Sequence, residues 1–253
     1  MGADAMTVER FKELEPWEKV RILKDGSCSM DVIRAGVMGK NLYVRRAAMG
    51  NPSAPEDVIR QGATDGNLWV RVAAVGNSSA PEDVIRAAVE DEDPDVREAA
   101  VGNPSAPEDA IRAGVEGGSW QAWRAAAGNP SAPVDVIRAG AKYDTWEVRR
   151  AAVGNPSAPA DVIRAGIGDE SSDVRRAAVR NPSAPEDVIR VGAGDGSWWV
   201  RAAAAASPKL AAELAEKLSK SKMVKIQEAL AGNLAVPERI RVVARMKVEA
   251  GRT

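Results

Sequence analysis

Along residues 56–76 the apolar positions change partners twice. Val58, Ile59 and Gly62 fall on one face of a helical projection, and the polar stretch "TDGN" (64–67) interrupts them. The segment "LWVRVAAV" (68–75) then resumes a helical pattern up to Gly76. This predicts two short helices joined by a turn. Pro55 suits the first helical position, where its missing N–H is not needed, and Glu56 and Asp57 follow in the favourable first turn. Gly62 and the "TDGN" turn are expected to end the first helix, and the second to start near Asn67. Gly76 is expected as a left-handed C-cap, after which Asn-Pro, in most copies, pushes the chain out of helical angles. Alanine pairs such as Ala73-Ala74 and Ala99-Ala100 would let neighbouring helices approach closely. No alternating β-branched stretch occurs, so no sheet is expected.

The pattern recurs. "NPSAPEDVIR" stands at 51–60 and again at 181–190, and copies opening on Asn51, Asn77, Asn103, Asn129, Asn155 and Asn181 follow one another every 26 residues. Degenerate copies begin at Asp25 and Ser207, and a partial one at Asn233, which makes about nine units. Each unit would bury its apolar face only against its neighbours, as in a solenoid. The expected organisation is a capping helix over 1–24, seven tandem repeats over 25–206, and degenerate repeats forming a C-terminal cap over 207–253.

Charge adds an asymmetry. Residues 51–206 hold 16 lysines and arginines against 24 aspartates and glutamates, whereas residues 207–253 hold 10 against 5. The chain has one cysteine, Cys28, and no histidine, which removes the commonest general base and the residues of a metal cage. No nucleophile motif or phosphate loop appears, and polar residues recur in every unit where an active site would be a single constellation. A non-enzymatic chain without cofactor is expected. No apolar run reaches membrane-spanning length and the first residues lack a signal peptide's apolar core, so a cytoplasmic location is expected.

Counting each copy from its opening residue, arginine recurs at position 10 (Arg34, Arg60, Arg86, Arg112, Arg138, Arg164, Arg190). Aspartate three residues earlier throughout, and glutamate four earlier for Arg60, Arg86, Arg112 and Arg190 (Val134 and Ala160 replace it before Arg138 and Arg164), make these a solvated ion-pair ladder within each helix in preference to a stripe of ligand contacts. A second ladder stands at position 21: Arg45, Arg71, Arg97, Arg149, Arg175 and Arg201, interrupted by Trp123. It reads either as a stacked network with the asparagine or acid ladders or as a groove gripping nucleic-acid phosphates, although the acidic repeats argue against the second.

Positions 14–19 differ in every copy, and here the aromatics collect. Tyr43, Trp69, Trp120, Trp146, Trp198 and Trp199 occupy positions 18 and 19, and Trp123 position 21. Position 18 projects away from the apolar face and aligns with position 22, which places Trp120 over Arg124 and Trp146 over Arg150. Packing between repeats would want such a residue in every copy, yet Pro94 and Ser172 stand at position 18 in two of them. A variable, aromatic-rich strip on a constant frame reads as a binding surface for a partner protein.

The unit "VRRAAVGNPSAPADVIRAG" (148–166) resembles the leucine-rich repeat variant family, whose repeats run V-R-x-x-V-A-x-N-P-x-T-P-x-x-x-L-x-x-L-A. The match covers about residues 25–253, and its most specific element is Val-Arg followed by Asn-Pro-x-x-Pro. The resemblance implies an all-α, right-handed solenoid of two-helix repeats, alternating α and 3-10 helices, that serves as an interaction scaffold. Three features depart from it. The family's leucines are mostly Ile, Val, Ala or Gly here, its capping threonine is alanine (Cys28 in the first copy), and one cysteine cannot hold the iron–sulfur cluster known in the family.

Overall fold

A computed structural model describes residues 6–250. The outermost residues of both expected caps, 1–5 and 251–253, lie outside it. The fold is all-α, with nineteen helices and no strand among the described residues. The chain divides into two units, Met1–Pro133 and Val134–Thr253.

In the first unit, α1 (Val8–Glu13) and α2 (Pro16–Leu23) precede four helix pairs. These are α3 and α4 (Met30–Val37, Leu42–Met49), α5 and α6 (Glu56–Ala63, Leu68–Val75), α7 and α8 (Glu82–Ala88, Pro94–Gly102), and α9 and α10 (Glu108–Val115, Trp120–Gly128). The second unit continues with α11 and α12 (Val134–Gly140, Trp146–Gly154), α13 and α14 (Ala160–Gly166, Ser172–Arg180), and α15 and α16 (Glu186–Ala193, Trp198–Ala206). It ends with α17 (Ala212–Ser219), α18 (Val224–Gly232) and α19 (Glu238–Ala250). Within each unit, second helices of successive repeats pack directly on one another and form the tighter of two layers; first helices form the other. Both are solenoid segments, each repeat covered by the next.

The core is built from two positions of the first helix and three of the second. The isoleucine at position 9 is sealed in every repeat, from Ile33 to Ile189, and the residue before it is buried too. Val70, Ala74 and Val75 of α6 face it, as their equivalents do in the other repeats. At 0.8 kcal/mol or so per buried methylene, these small side chains stabilise each interface by repetition more than by size.

The buried asparagines hold the seam. Asn103 opens a turn closed by the Ala106 N–H on its own carbonyl (2.9 Å), and its side-chain oxygen accepts the Ser105 N–H (2.8 Å). Its Nδ2 donates to the carbonyls of Val75 (2.6 Å) and Asn77 (2.8 Å), one repeat back. Asn51, Asn77, Asn129, Asn181 and Asn233 make the same pair of bonds. A ladder of amides therefore satisfies backbone carbonyls that would otherwise be orphaned inside the stack.

Several local expectations need correction. The second helices are α-helical, as are the first, so the 3-10 half implied by the family resemblance is absent among the described residues. Three-residue hydrogen bonds occur in turns such as Asn51–Ala54 and at helix ends, as from the Val70 N–H to the Asn67 carbonyl (3.0 Å). Pro55 is the N-cap in extended geometry, one residue before the helix. Gly76 stays right-handed (φ −77°), and the turn to extended backbone follows it. Gly62 lies inside α5 and does not end it: a Cβ there would stand 2.0 Å from the Met49 sulfur, so its role is close approach to α4.

Candidate functional site

Four of the position-21 arginines are inter-repeat clamps. Arg45 donates from Nε (2.7 Å) and Nη2 (3.2 Å) to Asp65 of the next repeat, while its Nη1 donates to the carbonyls of Gly39 and Lys40. Arg71 holds Asp91, Arg149 holds Asp169 and Arg175 holds Asp195 in the same two-pronged way. Their side chains are only 11–20% exposed. Arg97 and Arg201 find Gly117 and Ser221 where that aspartate would stand, and bind backbone carbonyls only. Hydrogen bonds from Arg45 hold the Asp65 carboxyl below the ordinary aspartate value, with burial pulling the other way. At Asp91, Asp169 and Asp195 burial pushes the carboxyl up. The paired arginine, a backbone N–H and a second guanidinium outweigh it, and each ends below the usual value.

This bears on the phosphate-groove reading of Arg45, Arg71, Arg97, Arg149, Arg175 and Arg201, and counts against it for four of them. In Arg45, Arg71, Arg149 and Arg175 the Nε, Nη1 and Nη2 groups are all engaged inside the chain, which leaves them no free guanidinium edge for a phosphate, whereas among the described residues Arg97 and Arg201 engage Nη1 alone. The position-10 ladder is also rewired. Arg86 pairs with Asp109 of the next repeat at 2.8 Å and Arg164 with Asp187 at 2.8 Å, so position 7 reaches backward across the repeat boundary. Within-helix pairs to Glu82 (3.1 Å) and Glu108 (3.1 Å) accompany Arg86 and Arg112. These ion pairs are solvent-exposed, which limits what each contributes.

The tighter layer's outer surface carries the aromatics. Tyr43 on α4, Trp69 on α6, Trp120 on α10, Trp146 on α12 and Trp199 on α16 are between 39% and 65% exposed. Trp123 on α10 and Trp198 on α16 are half-buried. Arg124 lies over the Trp120 ring at 5.9 Å and Arg150 over Trp146 at 5.8 Å, the i,i+4 stacking expected of position 22 on position 18. Two further stacks cross between repeats: Arg46 over Trp69 at 5.6 Å and Arg176 over Trp199 at 5.2 Å. Trp198 and Trp199 stack at 4.0 Å with their planes 23° apart.

Arg46 and Arg176 were missed because a position-19 ring leans toward the preceding repeat, which a single-helix projection does not show. Arg180 was missed as well, although it carried a signal. It stands at position 26, glycine in most copies, and is exposed on the same surface.

Among the described residues no group of His, Cys, Asp or Glu is arranged to hold a metal ion. Burial pushes the Cys28 thiol up, despite a contact from the Asn51 amide at 3.3 Å, which makes it a poor nucleophile at neutral pH. No helix is long and apolar enough to cross a membrane among the described residues.

No protein-family model matches the chain, and no curated protein matches it. Among solved structures the chain is similar to a leucine-rich repeat variant with a novel repetitive structural motif, at 19% identity and a TM-score of 0.47, over 81% of this chain and 90% of that one. It is also similar to YibA of Escherichia coli, at 17% identity and a TM-score of 0.43, over 98% and 99% of the two chains. A third likeness is to a designed armadillo repeat protein in complex with the peptide (KR)4, at 17% identity and a TM-score of 0.20, over 96% and 97%.

Proposed function

We propose that the chain is a non-enzymatic repeat scaffold whose second-helix surface binds a partner protein. The observation that carries this reading is the division of labour along one helix. Position-21 arginines and position-1 asparagines are bound inside the stack, while the aromatics at positions 18 and 19, the half-buried Trp198 apart, stay exposed and change from repeat to repeat. Tryptophan and tyrosine on a rigid support are the side chains that most often anchor protein interfaces, and an arginine stacked on the ring fixes its edge for recognition. Each unit carries its own set: Tyr43, Trp69, Trp120, Trp123 and Arg124 in the first, Trp146, Arg150, Trp198 and Trp199 in the second.

The test compares proteins retained by the wild-type chain with those retained by a Trp69/Trp120/Trp146/Trp199→Leu variant of unchanged circular dichroism. Leucine keeps much of the buried apolar area and removes the ring. Selective loss of one or a few proteins is the expected result. Identical retention by both forms overturns the reading, and retention of nucleic acid with a steep salt dependence would replace it.

A further inference from the structure

In the second unit the aromatic surface opens into a cleft of about 270 Å³ between α14, α16 and α18. Its floor is Ala202, Ala203 and Ala206, and the stacked Trp198 and Trp199 line it. Its polar rim is Arg176, Arg180 and Lys225. Lys225 is paired with Glu228 at 2.8 Å, but neither Arg176 nor Arg180 makes an ion pair among the described residues. The ring-stacked Arg46 and Arg150 share this among the described residues, whereas most position-10 and position-21 arginines have a partner in their own chain.

The first unit shows what a ring-stacked arginine takes when one is offered. Arg124 lies over Trp120 and donates its Nη2 to the Glu98 carboxylate at 2.7 Å, and Glu98 is the position-22 residue one repeat back. For Arg176, stacked on Trp199, the residue at that place is Arg150. The ring fixes the guanidinium, the internal carboxylate is replaced by a like charge, and the donor edge is left open. Arg180, one turn further along α14, adds a second free guanidinium where most repeats have glycine.

We infer that this cleft binds an acidic segment of a partner protein, two carboxylates engaging Arg176 and Arg180 on either side of one bulky apolar side chain seated on the alanine floor. Carboxylate is favoured by the Arg124–Glu98 pair inside the chain, and the apolar anchor by the two tryptophans and three alanines that line the cleft. The inference rests on the scaffold reading and supplies the partner's chemistry for the second unit.

The experiment pans a phage-displayed library of random dodecapeptides on the full chain and on its R176E/R180E variant. The wild-type chain is expected to enrich peptides with at least two Asp or Glu flanking a Leu, Phe, Trp or Met. The variant, melting as wild type does, should fail to enrich them. A fluorescein-labelled enriched peptide should lose about tenfold or more in affinity on R176A/R180A, as expected for charge-assisted hydrogen bonds. It should be unchanged on Arg190→Ala, an exposed arginine of the other layer. Neutral or basic consensus peptides overturn the inference, as does equal binding by the variant. So does an oligothymidylate that displaces the peptide and shares its dependence on Arg176 and Arg180. If the Trp→Leu chain loses a cellular partner that R176E/R180E keeps, the scaffold reading stands and this inference alone falls.

Discussion

Two arginines side by side on one helix meet opposite fates. Arg175 is tucked into the seam, with Asp195 on one side and the carbonyls of Asp169 and Glu170 on the other. Arg176, the next residue, lies on the outer surface against Trp199 and meets no carboxylate among the described residues. A step of one residue turns a side chain by about 100° around a helix, enough to move from seam to surface. The seam repeats almost without change because its asparagine amides and most of its arginines reach to the adjacent repeat, so a substitution is felt on both sides. The surface varies because the hydrogen bonds that hold the seam do not run through it. Constancy marks what holds the repeats together, and variation marks what is free to recognise something else.

The largest effect that would sharpen this contrast is at a seam asparagine. Asn103→Ala removes the donor to two buried carbonyls and the acceptor of the Ser105 N–H. A loss of about 3 kcal/mol is expected from urea denaturation, because the carbonyls stay buried without water to replace the amide. A loss below about 1 kcal/mol would mean that the ladder adds little to repeat cohesion.

Somewhat smaller is the cost of crowding the interface. A Cβ at Gly114 would stand 2.1 Å from a Val101 methyl, so Gly114→Val should destabilise by about 1–3 kcal/mol. Pairing it with Val101→Ala should restore part of that loss. If the double variant is no better than the single one, the small residue at position 12 has another purpose than admitting the valine of the preceding repeat.

Much of this seam was legible in the sequence, and the reasons are physical. A fixed period with Ile at position 9 and an Ala pair at positions 23 and 24 can only bury itself against copies of itself, so the helix pairs and their cores followed from residues such as Ile59 and Ala74. What escaped were interactions spanning a repeat boundary. Asn51 reads as turn punctuation until its amide is seen reaching the Leu23 carbonyl, 28 residues back at 2.7 Å. Asp57 reads as an i,i+3 partner of Arg60 until Arg34 is found holding it at 3.0 Å. Helical projection orders the residues of one helix and is blind to the next one. For the same reason it placed Trp120 with Arg124 correctly and missed Trp199 with Arg176.

Smaller again is the difference between two clamps of the first unit. Arg71 binds a carboxylate and a carbonyl, whereas Arg97 binds carbonyls alone. Arg71→Ala should therefore cost more than Arg97→Ala at pH 7, by about 1 kcal/mol. The excess should depend on pH. Asp91 titrates below its ordinary value in the folded chain, so its stabilisation is complete above the unfolded aspartate value of about 4 and is lost as pH falls through the lower folded value. Chemical denaturation between pH 7 and pH 3 should show the two variants converging toward the acid end. A gap that stays constant to pH 3 would assign the difference to packing of the Arg71 stem.

The smallest expected effect tests the surface side directly. Tyr43→Ser changes a ring that is 65% exposed on α4. The turn that presents it is held by Asn41, whose side-chain oxygen accepts the N–H groups of residues 43 and 44 at 3.0 Å and 3.3 Å, and serine at 43 leaves both bonds in place. Stability should change by at most about 0.5 kcal/mol, the range of surface substitutions away from caps and cores. Val44→Ser, one residue further and sealed in the core, should cost several times more. The pair is read in one denaturation series. Equal losses at 43 and 44 would make the aromatic strip part of the packing and remove the ground for treating it as a recognition surface. A large loss at 44 beside a negligible one at 43 places the boundary between scaffold and surface within a single peptide bond.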